Sequence, residues 1–351
     1  MEICEHKIAV AWNGLPAYGA HLVKAARIRL GYDFPVVGTR PDVPIEGMEH
    51  ILGGGLYWVE ENCRHSWAEL GLEVPRLFVH TGWRYPHFVS LADEVRAAGG
   101  KVVGMFDNSW KGNVRQWVGA VYFRLFLRHK FSAAWVPGLS GRKLARRIGV
   151  HSQRIHEGLY GANPNVFQCK VPICERPKKI LFVGRLIDRK GIVELLSAFE
   201  VLRTEHPDWQ LEVIGNGPHA ELLQGREGVN VKPFCQPDRI AIAMNEARVL
   251  ALPSHEEHWG LVVHEAALCG CALLLTQAVG AGADLVRSQN GICVAKTSVE
   301  QLKQGLEHVY AWAPEQWTQA SELSVDLAQD FGPVRWADEM SEFVRKFLKV
   351  E

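Results

Sequence analysis

The sequence predicts an α/β protein built of two doubly wound domains. Three observations carry this. Short apolar runs alternate with longer helical patterns, which is how a parallel sheet with crossover helices is written in sequence. The alternation restarts at Lys179 after a proline-bearing stretch. The 351 residues also exceed what one hydrophobic core commonly holds.

The elements follow in order. Lys7–Trp12 reads as a first strand. Asn13–Gly19 follows as a loop and Ala20 opens a helix. The glycines Gly14 and Gly19 let a ligand approach the backbone, or simply make a tight turn; the spacing does not match a dinucleotide fingerprint. Further strands are expected at Phe34–Gly38, Arg76–His80, Lys101–Phe106 and Ala133–Gly138, with a helix at Phe88–Ala98. Ligands of open parallel sheets collect at strand C-termini, so His80, Arg84, Asp107 and Asn108 are site candidates. Trp117–Phe131 is apolar nearly all round, which predicts a buried helix, with membrane contact open at its basic end. Ser140–Ile148 reads as a basic, solvated helix.

Gln168–Lys178, with Pro172 and Pro177, reads as an interdomain linker. This places an N-terminal domain at 1–170 and a C-terminal domain at 171–332, with a last helix at 333–351 expected to pack back on the first. Strands are expected at Lys179–Val183, Gln210–Ile214, Val229–Val231, Val249–Leu252, Cys271–Thr276 and Ile292–Val294, and helices at about 298–312, 315–329 and 333–349.

Two stretches of the second domain concentrate chemistry. Arg185 and Lys190 follow its first strand, flanked by glycines, in a loop long enough to fold both cations over one anion such as phosphate. Later, Glu257 precedes a helix that begins near Gly260, and Glu265 lies inside it. Glu257 has two readings at this point, helix cap or ligand contact.

Composition narrows the classes. A formal net charge of zero argues against a general nucleic-acid binder. The N-terminus lacks a signal peptide's pattern, no apolar run reaches membrane-span length, and the eight cysteines are scattered, which together predict reduced thiols in a cytoplasm. A P-loop and a nucleophile elbow are absent, and His255, His258 and His264 do not complete a His-Glu-x-x-His zinc pattern.

Val183-Gly-Arg-Leu-x-x-x-Lys-Gly191 and Pro253-Ser-x-x-Glu-x-Trp-Gly-Leu-Val-Val-x-Glu-Ala266 together resemble the retaining glycosyltransferases of family 4. The resemblance is strongest over residues 179–294. It implies a GT-B fold, two Rossmann-like domains facing a cleft, and transfer of a hexose-type sugar from a nucleotide-diphosphate sugar, UDP-sugar favoured over GDP-sugar, to a glycan, lipid-linked or small-molecule acceptor. It implies no metal and no cofactor.

By the same resemblance Arg185 and Lys190 hold the diphosphate, and Glu265 binds the ribose. Glu257 positions the donor sugar, aided by the backbone of Trp259, Gly260, Leu261 and Val262. Gly14 and Gly19 approach the phosphates, while Phe234 and Cys235 edge the nucleobase. The family's N-domain histidine is missing after the strand ending at Phe106, where Asp107-Asn108 stand; His80 is the substitute, placed with Glu257, Arg185 and Lys190 as catalytic. Arg84, Asp107 and Asn108 fall to the acceptor side. The alternatives are a sugar-nucleotide epimerase of the same fold and a non-catalytic sugar-nucleotide-binding subunit. A cytoplasmic enzyme with at most peripheral membrane contact is expected.

Overall fold

The structure, a computed structural model, describes residues 7–41 and 47–349; the reading of the N-terminus and Cys4 falls outside them. These residues pack as two compact units. One comprises the described parts of Met1–Gly161 and Phe331–Glu351, the other Ala162–Asp330.

The first unit runs β1 (Ile8–Trp12), α1 (Ala17–Leu30), β2 (Val36–Gly38), α2 (Met48–Leu52), β3 (Leu56–Trp58), β4 (Leu77–Thr81), α3 (Pro86–Ala97), β5 (Lys101–Met105), α4 (Val114–Tyr122), β6 (Ala133–Trp135), α5 (Leu139–Arg147) and β7 (Ile155–His156). The strands form one parallel sheet in the order β3-β2-β1-β4-β5-β6-β7. Strand side chains alternate faces. Ile8, Val10 and Trp12 accordingly join one core layer, and Ala9 and Ala11 join the other. The strand β3 escapes the sequence reading because Leu56–Trp58 is half-buried and follows three glycines, and β7 because two residues are too short for a periodicity to register.

The second unit runs β8 (Lys179–Val183), α6 (Ile192–Arg203), β9 (Gln210–Ile214), α7 (Ala220–Leu223), β10 (Val229–Lys232), α8 (Pro237–Asn245), β11 (Val249–Leu252), α9 (Leu261–Leu268), β12 (Ala272–Thr276), α10 (Gly282–Leu285), β13 (Gly291–Val294), α11 (Val299–Tyr310) and α12 (Pro314–Ala328). Its sheet is parallel in the order β10-β9-β8-β11-β12-β13. Each sheet reverses its winding once, between β1 and β4 and between β8 and β11. Loops leaving the strand C-termini diverge there and leave a crevice.

The last helix, α13 (Pro333–Leu348), belongs to the first unit. Trp336 stacks on Trp135 with ring centroids 4.7 Å apart, and His156 Nδ1 lies 2.8 Å from Glu339 Oε2. Trp67, Trp135, Trp259 and Trp336 are all fully buried, so much of the tryptophan content serves packing.

The stretch 168–178 is fastened to the second unit. Arg176 is buried, and its guanidinium donates to the carbonyls of Val171, Met244, Ala247 and Cys269. Asn245 Oδ1 accepts from the Lys170 amide at 2.7 Å. A buried guanidinium is tolerable only when its donors are satisfied, and here the backbone satisfies them.

One prediction about burial is overturned. The helix within Trp117–Phe131 is not enclosed: Ala120 and Phe123 face the core, while Trp117, Val118, Val121, Tyr122, Leu125 and Phe126 are exposed. Apolar residues all round do signal a buried helix when neighbours surround it. This one lies over a single core layer and leaves its other side bare.

Candidate functional site

The two chemistry-bearing loops of the second unit leave β8 and β11, the strands on either side of the sheet reversal. Glycine is what lets them meet. Gly191 has φ +69°, and a Cβ there would lie 2.1 Å from the Pro253 carbonyl oxygen. A Cβ on Gly215 would lie 1.9 Å from the Gly184 oxygen, and one on Gly217 2.4 Å from that of Leu186. The glycines after β8 and β9 are therefore needed for backbone to approach backbone.

Hydrogen bonds lock the approach. The Leu186 amide donates to Asn216 O at 2.9 Å, and the His255 amide to Arg189 O at 2.9 Å. Arg189 Nη1 donates to Glu256 O. Lys190 Nζ forms an ion pair with Glu257 Oε2, and both side chains are mostly buried, at 12% and 17% exposure. Arg185, by contrast, is exposed, and its guanidinium has no hydrogen-bond or ion-pair partner among the described residues. Of the three cations in this loop, Arg189 and Lys190 are engaged and the Arg185 guanidinium is free.

Glu257 is held on its backbone too. Its amide donates to Ala278 O and its carbonyl accepts from Gly280 N, each at 3.2 Å, beside Val279. Trp259 is buried, and its indole donates to Asp284 Oδ2 at 3.2 Å. Gly260, at φ +96°, turns the chain into α9. The amides of Gly260, Leu261 and Val262 meet no acceptor among the described residues. Such a helix start attracts an anion or a polarised hydroxyl. Glu257 itself is not a side-chain cap of α9, because its carboxylate is spent on Lys190.

Glu265 sits within α9, partly exposed, and its carboxylate meets no hydrogen-bond or ion-pair partner among the described residues. Burial pushes its carboxyl up to about 7, since the site penalises the charged form. Phe234 and Cys235 follow β10, and the Phe234 amide donates to Asn216 Oδ1 at 3.2 Å. Asn216 was not singled out from sequence. The signal was there, a Gly-Asn-Gly at the end of a predicted strand, but its role as a link between two loops needs the fold.

The three histidines are dispersed in their bonding. His255 lies 3.0 Å from Glu194 Oε1, His258 Nδ1 is buried without a partner, and His264 accepts from the Ala162 amide and donates to Ala328 O.

In the first unit, Gly14 lies at φ +58° and its amide donates to Thr39 Oγ1 at 2.7 Å. Gly19 is not in the loop. The helix starts earlier, at Ala17, and Gly19 packs within it against Pro16 and Leu15. Asp107 Oδ2 accepts from Tyr160 Oη at 2.8 Å, whereas Asn108 and Arg84 are exposed.

His80 is a core residue, contrary to the catalytic reading. It is 1% exposed, its ring lies against Phe78, Phe88 and Phe131, and Nε2 is buried without a partner. Burial holds its imidazole down at about 4, so it stays neutral. It sits one residue short of the strand end, and the pleat turns it inward. His80→Leu is therefore expected to stabilise the fold by about 1 kcal/mol, by removing the unpaired nitrogen, and to leave turnover unchanged. Thermal unfolding and a transfer assay check this; a tenfold loss of turnover at an unchanged unfolding midpoint would restore His80 to the site.

His87, also buried, is by contrast bonded at both ring nitrogens. Its Nε2 lies 3.0 Å from Asn13 Oδ1, and its Nδ1 accepts from the Asn62 amide. Sequence reasoning passed over it because it falls in a helix start rather than at a strand end.

Comparison with known proteins finds a family likeness within the second unit. Residues 167–320 match the glycosyl transferases group 1 family. The group 1 segment spans the β8 and β11 loops and α9. An uncharacterized glycosyltransferase of Haemophilus influenzae is 29% identical over 180 residues, 49% of this chain and 50% of that protein. Glycogen synthase of Mycobacterium tuberculosis is 29% identical over 140 residues, 38% of this chain and 34% of its own length. The chain thus spans half or less of these relatives.

Among solved structures, HepE of Anabaena, crystallised with UDP and glucose, superposes with a TM-score of 0.73 at 15% identity, covering 97% of this chain and 99% of that one. Sucrose-phosphate synthase of Thermosynechococcus elongatus does so with a TM-score of 0.73 at 17% identity, covering 98% and 100%. Two parallel-sheet, Rossmann-like domains of the GT-B type are therefore the fold of this chain.

Proposed function

We propose that the chain is a glycosyltransferase that moves a hexose-type sugar from a nucleotide-diphosphate sugar to a glycan, lipid-linked or small-molecule acceptor, with retention at the anomeric carbon. The observation that carries this reading is the set of groups at the β8–β11 reversal: a free Arg185, a Lys190–Glu257 pair and three unpaired amides at the start of α9. Departure of a nucleoside diphosphate builds negative charge, and two cations with a helix N-terminus stabilise it. In this reading no metal is assigned a role. Lys190 also holds the Glu257 carboxylate in place, so that it accepts hydrogen bonds from sugar hydroxyls and acts in positioning, not as a nucleophile. Glu265 accepts from the ribose hydroxyls. UDP is the favoured nucleotide, in line with the UDP in the Anabaena structure.

A panel of UDP-, GDP- and ADP-sugars tests the reading. A ligand that binds only the folded state raises its apparent stability, so UDP-sugars are expected to give the largest rise in unfolding midpoint. Incubation of the stabilising donor with candidate acceptors, followed by proton NMR of the anomeric signal, is expected to show the donor's configuration in the product. Conversion of donor to an epimer without acceptor would replace transfer by epimerisation. Binding with neither outcome across the acceptor panel would leave a sensor.

A further inference from the structure

The exposed face of α4 has no place in the donor chemistry, and its composition points to a specific partner. Trp117, Val118, Val121, Tyr122, Leu125 and Phe126 form one stripe along α4 and the wide π-type turn that continues it, where the Arg128 amide donates to Phe123 O. Their exposures run from 48% to 66%. Residues three and four apart share a helix face, so this is a continuous apolar ridge opposite the buried Ala120 and Phe123. A large contiguous apolar patch on a water-facing surface marks an interaction site.

Charge gives the patch its partner. Between Asp107 and Glu157 the sequence has ten Lys or Arg and no Asp or Glu, although the whole chain is formally neutral. The fold gathers several of them beside the ridge. Arg124, Arg142, Lys143, Arg146 and Arg147 line one depression between the π-type turn and α5, and Arg124 Nη2 donates to Arg147 O at 2.8 Å. Lys143, Arg146 and Arg147 are exposed.

We propose that this face of the first unit docks on an anionic lipid bilayer, with the α4 ridge in the interfacial layer and the cations of α5 against the lipid headgroups. Tryptophan and tyrosine are suited to that layer, and aliphatic Val118, Val121 and Leu125 to the acyl boundary just below it. Aliphatic side chains at the centre of the ridge favour lipid over single-stranded nucleic acid, which stacks on aromatic rings. No helix among the described residues is long and apolar enough to cross a membrane, so contact is in the plane of the surface. Two signals, apolar insertion and basic attraction, are what stable but reversible anchoring takes.

Vesicle flotation of the full chain tests this without reference to sugar transfer. The protein is expected to float with phosphatidylcholine–phosphatidylglycerol vesicles, to stay in the bottom fraction with phosphatidylcholine alone, and to be released from the mixed vesicles by high salt. Lys143→Glu with Arg146→Glu should weaken partition on the order of thirtyfold. Leu125→Ser with Phe126→Ser should abolish it. Both pairs are exposed, so both variants should keep the wild-type unfolding midpoint, which is measured alongside. Equal flotation of the wild type and both variants would overturn the proposal, as would failure of the wild type to float with either vesicle. Light scattering showing a dimer that only the Leu125–Phe126 variant dissociates would overturn it as well, by making a second copy of the chain the occupant.

Discussion

Arg185→Ala is expected to weaken nucleoside diphosphate binding roughly 10- to 100-fold while leaving the unfolding midpoint where it is. The side chain is exposed and pairs with nothing among the described residues, so its removal costs the empty protein little. A hydrogen bond to a charged phosphate is worth about 1.5–3 kcal/mol, which sets the range. Lys190→Ala should behave differently. It strands the mostly buried Glu257 carboxylate, and removing one partner of such a pair is strongly destabilising, here by about 1–3 kcal/mol since some exposure remains. Lys190→Ala combined with Glu257→Gln should recover most of that stability and none of the binding. Titration calorimetry with UDP and thermal unfolding of the three variants separate the two effects. Wild-type affinity in Arg185→Ala would remove the diphosphate from this loop.

Glu265 carries the second large effect, which is read in its pH dependence. Burial raises its carboxyl from 4.5 to about 7. The folded state therefore binds this proton more tightly than the unfolded chain does. The resulting stability is present in full below about pH 4.5 and is lost as pH rises towards 7. At about pH 8 the empty protein carries an ionised carboxylate that burial disfavours, so Glu265→Gln should stabilise it by roughly 1–3 kcal/mol. Ligand binding runs the other way. If the ribose hydroxyls donate to the carboxylate, uridine nucleotide affinity should climb by up to about tenfold per pH unit below 7 and level off above it. Glu265→Gln should lose affinity and flatten that rise. Identical pH profiles for wild type and variant would detach Glu265 from the ligand.

Much of this was legible in the chain. Eleven of the described strands correspond to runs read from sequence, because strands of a parallel sheet are buried on both faces and write themselves as largely apolar segments. The two motifs of the second unit were legible for a related reason. Glycine and charged residues interrupting such segments stand out, and they do so at the strand ends where ligands bind. His80 shows where the same logic fails. Position at a strand end says nothing about which way the last side chains point, and one residue of register turned this one into the core.

The α4 stripe fails in the opposite sense. Its apolar residues were visible, yet a sequence cannot say how many neighbours a helix has. Whole-chain neutrality likewise hid ten cations that share one segment with no acid.

By itself, then, the sequence determined two parallel α/β domains and the identity of the groups after β8 and β11, since burial period and residue chemistry are local properties. Tertiary structure decided which of those groups are paired and which are free. Lys190 and Glu257 are 67 positions apart, and only the backbone approach at Gly191 and Pro253 brings them together. The Arg185 side chain is left unpaired by that approach, and among the described residues the outer face of α4 is left exposed. Pairing and exposure depend on contacts between distant segments, which no local pattern encodes.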